Sequence, residues 1–75
     1  MSAFAVILVH TTSHAVQAER ILRKSGQKVR LVPTPRHLSS DCGASVRIAA
    51  SEREVCEAIL RDAGVEIDRI EALDR

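Results

Sequence analysis

The chain has 75 residues, 45 % of them apolar, with Phe4 as its one aromatic. Eleven Lys and Arg stand against ten Asp and Glu, a formal net charge of +1 with the signs interleaved, so there is no general electrostatic attraction for nucleic acid or an anionic membrane. No apolar run approaches the roughly 20 residues needed to span a bilayer, and the short apolar segment near the start lacks a basic leader, so a cytoplasmic protein with Cys42 and Cys56 as free thiols is expected.

Residues 3–9 are β-branched and almost continuously apolar, which predicts a central strand buried on both faces. Thr11, Thr12 and Ser13 are candidate N-caps for a helix whose apolar positions Ala15, Ala18, Ile21 and Leu22 recur at helical spacing. Arg23 and Lys24 in its last turn suit the helix dipole, and Gly26 supplies the stop. Residues 28–32 alternate polar and apolar, predicting a strand with one wet face that ends at Pro33. Residues 44–49 alternate again and predict a third strand. Ser51-Glu52-Arg53-Glu54 has the form of a capping box, followed by the helical stripe Val55, Cys56, Ile59, Leu60 and Ala63 and by Gly64 as its end. Residues 65–68 predict the last strand; the step from Ile67 to Ile70 breaks period two, suggesting a bulge or an early end, and residues 70–75 are ambiguous.

The order βαββαβ predicts an α+β, ferredoxin-like fold over residues 1–75 as one domain, a four-stranded antiparallel sheet with two helices on one face. A domain this small buries only about 60 % of its unfolded surface, and oligomerisation would help it. The first strand has apolar residues of both parities, Phe4, Val6 and Leu8 against Ala5, Ile7 and Val9, so the face without helices would favour a homodimer. In this topology the first strand ends where the third begins, which brings Cys42 toward His10-Thr11-Thr12-Ser13.

The connection from Pro33 to Gly43 is too long and too specific for an ordinary hairpin turn. Two prolines stiffen its start, and Cys42 followed by Gly43 ends it on permissive backbone. Near a helix N-terminus the Cys42 thiolate would be favoured by the dipole and by unpaired amides, with Arg36, His37, His10 or His14 adding positive charge. Asp41 opposes this, and a cysteine can equally be a small apolar residue. Cys56, on the helical stripe, reads as a buried core thiol. Arg36 could bind a carboxylate or phosphate, and Ser39 with Ser40 could support an anion; alternatively Arg36 is solvated and the serines satisfy turn backbone. The histidines have no spacing that establishes a metal site, and no cofactor is implied. The first strand-to-helix turn lacks the paired cysteines of ferredoxin-like metal chaperones. The third strand offers Ser45 and Arg47 where RNA-recognition domains carry stacking aromatics, and no Gly-rich phosphate loop occurs.

Taken together, the apolar first strand leading into His10-Thr11-Thr12-Ser13-His14-Ala15, the segment Val32-Pro33-Thr34-Pro35-Arg36 and the segment Leu38-Ser39-Ser40-Asp41-Cys42-Gly43 resemble a family of short selenium/sulfur carrier-like proteins. The joined Pro-x-Pro-Arg and Ser-Ser-x-Cys-Gly segments are the specific part; the late aromatic of the family pattern is missing from residues 67–73. The resemblance implies a carrier that holds sulfur or selenium on Cys42 as a persulfide or perselenide, with donor and acceptor proteins as partners. Arg36, Thr12 and Ser13 would stabilise the terminal anion. The rival reading is a binding module whose 33–43 arm engages a partner while Cys42 packs.

Overall fold

The computed structural model describes residues 3–38 and 42–73. Its elements run β1 (Phe4–Leu8), α1 (Thr12–Lys24), β2 (Arg30–Pro33), β3 (Ala44–Ala49), a 3-10 turn (Ala50–Glu52), α2 (Arg53–Asp62) and β4 (Arg69–Leu73). The sheet order is β2-β3-β1-β4 with every neighbouring pair antiparallel. This is the expected α+β, ferredoxin-like arrangement, with β1 and β3 in the centre.

Strand parity divides the two faces of the sheet. Ala5, Ile7 and Val9, with Val46, Ile48 and Ile70 across the ladder, form one core with Ala15, Ala18 and Leu22 of α1 and Cys56 and Leu60 of α2, so both helices lie on that face. The other face differs from the exposed apolar strip expected of it. Val6 and Leu8 are fully buried there although no helix covers them. Val6 lies between Arg47 and Glu71, and Leu8 is opposite Arg69. Arg69 Nε donates to Glu71 Oε2 at 2.8 Å, and the Arg47 guanidinium lies 4.5 Å from the centre of the Phe4 ring. Long charged side chains with apolar stems thus roof the strip, and the apolar surface on which a homodimer was expected narrows to Phe4, which is 43 % exposed, with half-buried Val32 of β2 and Leu73 of β4.

Both helices end as their glycines predict. Gly26 and Gly64 are left-handed, with φ of 88° and 77°. At α1, Gln27 N–H donates to the Leu22 carbonyl and Gly26 N–H to that of Arg23, both at 3.0 Å; at α2, Val65 does the same to Leu60 at 3.0 Å and Gly64 to Arg61 at 3.1 Å. These paired bonds satisfy carbonyls that the helix leaves open, and buried Val65 follows directly. The helix starts differ from each other. Thr11 caps α1, its Oγ1 accepting from His14 N–H at 3.2 Å. The expected Ser51 capping box does not form. A 3-10 turn takes up Ser51, α2 begins at Arg53 with Glu52 at the cap position, and no side chain caps it. Arg53 instead secures this end, donating to the Ile70 carbonyl at 2.8 Å.

Two strand boundaries are also corrected. β2 starts at Arg30, two residues later than the alternation predicts, and ends at Pro33, which still pairs with Ala44 because an edge strand tolerates the missing amide. β4 starts at Arg69, not within residues 65–68. Val65 and Ile67 pack against the core as an approach segment, Asp68 N–H donates to the Leu8 carbonyl at 2.7 Å, and Ile70 then pairs with Ile7. The break in alternation after Ile67 marks where the strand begins.

The unequal helix starts have a measurable consequence. Thr11→Ala should cost about 0.5–2 kcal/mol, whereas Ser51→Ala should be close to neutral in chemical denaturation. Equal losses would contradict the caps described.

Candidate functional site

The antiparallel pairing of β1 with β3 decides where Cys42 lies. Ile7 is opposite Val46, so the chain leaves β1 toward α1 at the end of the sheet where β3 begins. Cys42 Sγ is 3.6 Å from Thr12 Oγ1, in the first turn of α1, and accepts from Ala44 N–H at 3.4 Å. The structure therefore brings together Cys42 and Thr12 as the topology predicts. The sulfur is not displayed on an open arm, however. Cys42 is 5 % exposed and packs with the core between the sheet and the helices.

Thr34 holds the cysteine in this position. Its N–H donates to the Gly43 carbonyl at 2.9 Å, extending the β2–β3 ladder one step past Pro33. Its hydroxyl donates to the Cys42 carbonyl at 2.9 Å and lies 2.7 Å from Ser45 Oγ. Since a hydroxyl carries one hydrogen, Ser45 must be the donor to Thr34, which accounts for a buried serine on a central strand. Sequence reasoning missed Thr34. The signal available was its position between two prolines, opposite Cys42-Gly43 across the connection.

The other expected residues are spread around this point. Ser13 is exposed and, with Thr12, Val16, Gln17 and Arg20, lines a shallow depression of about 480 Å³ along one side of α1. Arg20 is a second residue the sequence reading passed over, although its spacing from Ser13 and Gln17 places all three along one side of the helix. Arg36 and His37 are exposed at the tip of a turn closed by Leu38 N–H donating to the Pro35 carbonyl at 3.0 Å. Gly43 is exposed, has no left-handed φ, and a Cβ added there would meet nothing within 4 Å; the permissive backbone expected of it is not used. Ser39, Ser40 and Asp41 lie outside the described residues. His14 Nδ1 is 3.0 Å from Thr11 Oγ1, so this histidine belongs to the helix cap. Among the described residues, no group of three or more His, Cys, Asp and Glu is placed to hold a metal ion.

Cys56 is the buried thiol expected, fully inaccessible on α2, with Sγ 4.0 Å from Gln27 Oε1. Burial pushes its pKa above the usual 9.0, and the charge of Glu52 adds to the effect. Neither cysteine is in a disulfide.

Because the folded chain holds the Cys56 proton to higher pH than the unfolded chain, the stability from its burial is complete below about pH 9 and falls as pH rises beyond that. Denaturation curves should show this decline, and it should be shallower in Cys56→Ala; equal slopes would exclude Cys56 as its source. Thr34→Val should cost about 1–3 kcal/mol, since it leaves the Ser45 hydroxyl and the Cys42 carbonyl short of a partner. It should also speed alkylation of Cys42 in peptide-mapped labelling, and unchanged labelling would show that Thr34 does not control access to the thiol.

No curated protein and no solved structure matches the chain. The model of one family, described as "Putative Se/S carrier protein-like", matches residues 4–71, from the first residue of β1 into β4 and across the whole Cys42 region. The chain belongs to that Se/S carrier protein-like family.

Proposed function

We propose that this chain carries sulfur or selenium on Cys42, accepting it from a donor protein and passing it to an acceptor protein. The supporting observation is the pair of hydrogen-bonding groups at Sγ, Ala44 N–H and the Thr12 hydroxyl, at the start of a helix and within the family match. In the transfer, the Cys42 thiolate attacks the terminal sulfur of a donor persulfide. One S–S bond forms at Cys42, the donor's own S–S bond breaks, and the donor sulfur leaves as a thiolate, so electrons balance without an oxidant. Delivery repeats the step with the acceptor as nucleophile, and selenium in the terminal position follows the same course.

Little further machinery is needed. Ala44 N–H and Thr12 donate to the sulfur anion, while Ser13 and the opening amides of α1 receive the charge of the terminal atom. Arg36, with Ser39 and Ser40 preceding Cys42, adds charge and hydroxyls from the loop, and Gly43 keeps the partner's approach clear of side chains. Cys42 is 5 % exposed, so transfer requires the partner's sulfur to come up closely against this one point of the surface. A reducing cytoplasm suits such chemistry.

That same exposure favours a second reading, in which Cys42 is a packing residue and the 33–43 connection binds a partner. Incubation with a cysteine desulfurase and cysteine, followed by trapping and peptide mapping, separates the two. The carrier reading expects the Cys42 peptide to gain one sulfur atom while Cys56 remains unmodified, and expects Cys42→Ser to abolish uptake. Failure of Cys42 to load under conditions that persulfidate an unstructured cysteine peptide would leave the packing reading.

A further inference from the structure

At the other end of the sheet from Cys42, a depression of about 590 Å³ lies between the end of α1 and the start of β2. Arg23, Lys28, Arg30 and Arg47 line it together with Phe4 and Ile48, and its lining contains no Asp or Glu. Arg30 and Arg47 are direct cross-strand partners on one face of the sheet. Like charges so placed repel and weaken the strand pair. Arg23 is ion-paired with Glu19 one helical turn earlier, but Glu19 does not reach the lining. The Arg47 guanidinium lies over the Phe4 ring of β1, on the opposite side of β3 from Arg30. A chain with a net charge of only +1 thus gathers four of its eleven cations around one open groove and sets two of them against each other.

We propose that this groove docks a carboxylate-rich segment of a partner protein. Charge complementarity carries the assignment, because acidic side chains would relieve the Arg30–Arg47 repulsion and occupy bidentate guanidinium sites. A nucleic acid is less well served. The cations form one cluster with no track for a phosphate backbone, and the sole aromatic ring already has Arg47 over one face. The groove is distinct from the thiol: Arg47 is five positions along the chain from Cys42, roughly 16 Å at ~3.3 Å per residue of extended chain. Binding itself is independent of the carrier reading; only the identification of this partner as a donor or acceptor for Cys42 rests on it.

The test is an amide NMR titration of the full chain at low salt with a blocked hexaglutamate peptide, with inorganic pyrophosphate and an oligothymidylate as phosphate sources and hexalysine as a control. Saturable shifts confined to residues 23–30 and 47–48 are expected from hexaglutamate. Arg30→Ala should weaken binding about two- to fivefold, the range of an exposed ion pair, and Arg30→Glu further. Because Arg30→Ala removes a like charge from the position opposite Arg47, its Tm should equal or exceed that of the parent, so weaker binding cannot be attributed to unfolding. Absence of saturation, shifts scattered over all Lys and Arg residues, or tighter binding of pyrophosphate or the oligonucleotide would overturn the proposal. Cys42 takes no part in the titration, so its failure would leave the sulfur-loading experiment intact, and the converse holds.

Discussion

The antiparallel pairing of β1 with β3 is the constraint on which the rest of the structure depends. β1 is too apolar for any place but the centre, with Ala5 through Val9 almost without solvent contact. Putting it there, between β3 and β4, requires both crossover helices to pack on one face and brings the exit of β1 beside the entry of β3. The meeting of Cys42 and Thr12 is therefore built into the topology, with local side-chain contacts needed only to fix their separation. The same pairing aligns Arg47 with Val6 and, through β2, with Arg30. The sulfur end and the basic end of the molecule are opposite ends of one strand.

Much of this was legible in the sequence where a residue type has one strong physical reason for its place. Gly26 and Gly64 mark helix ends because left-handed backbone excludes most other residues, and they do so in the structure. Of the two expected helical stripes, Ala15, Ala18, Leu22, Cys56 and Leu60 are buried and Ile21 and Ile59 partly so, while Val55 and Ala63 are exposed, because the stripe that meets the core is narrower than the run of apolar residues. Where two local solutions compete, pattern was insufficient. Ser51 and Glu54 have capping-box spacing, but the chain closes that corner with a 3-10 turn and uses Arg53 across to β4. Alternation over Val65 and Ile67 reflects two residues packing on a core, which a coil can achieve as well as a strand. Parity separated Val6 and Leu8 from Ala5, Ile7 and Val9 without saying which set faces the helices, and it carries no information about the height of the Arg47, Glu71 and Arg69 stems beside them.

The candidate site shows the same division. The meeting of Cys42 with the start of α1 came from topology and the nature of the connection as a special segment came from composition. The near-complete burial of the sulfur came from neither. Cys42 packs on the core, and Thr34 lies beside it with a single hydroxyl that engages the Cys42 carbonyl and accepts from a serine on the next strand. Polar residues between prolines are usually read as solvated turn, and only three-dimensional pairing distinguishes a latch from a turn. Cys42 is consequently held by backbone and side-chain hydrogen bonds at both its sulfur and its carbonyl, which defines its position more closely than a surface loop would.

Pro33 has a consequence beyond ending a strand. A four-stranded sheet has two open borders, and each is a template on which another chain could add a strand. Here the β2 border is only four residues long and contains a proline that offers no amide, while the β4 border carries Arg69 and Glu71 in alternation. The sheet is poorly suited to growth by further strands at either side, which leaves recognition by other proteins to its side chains and the faces they form.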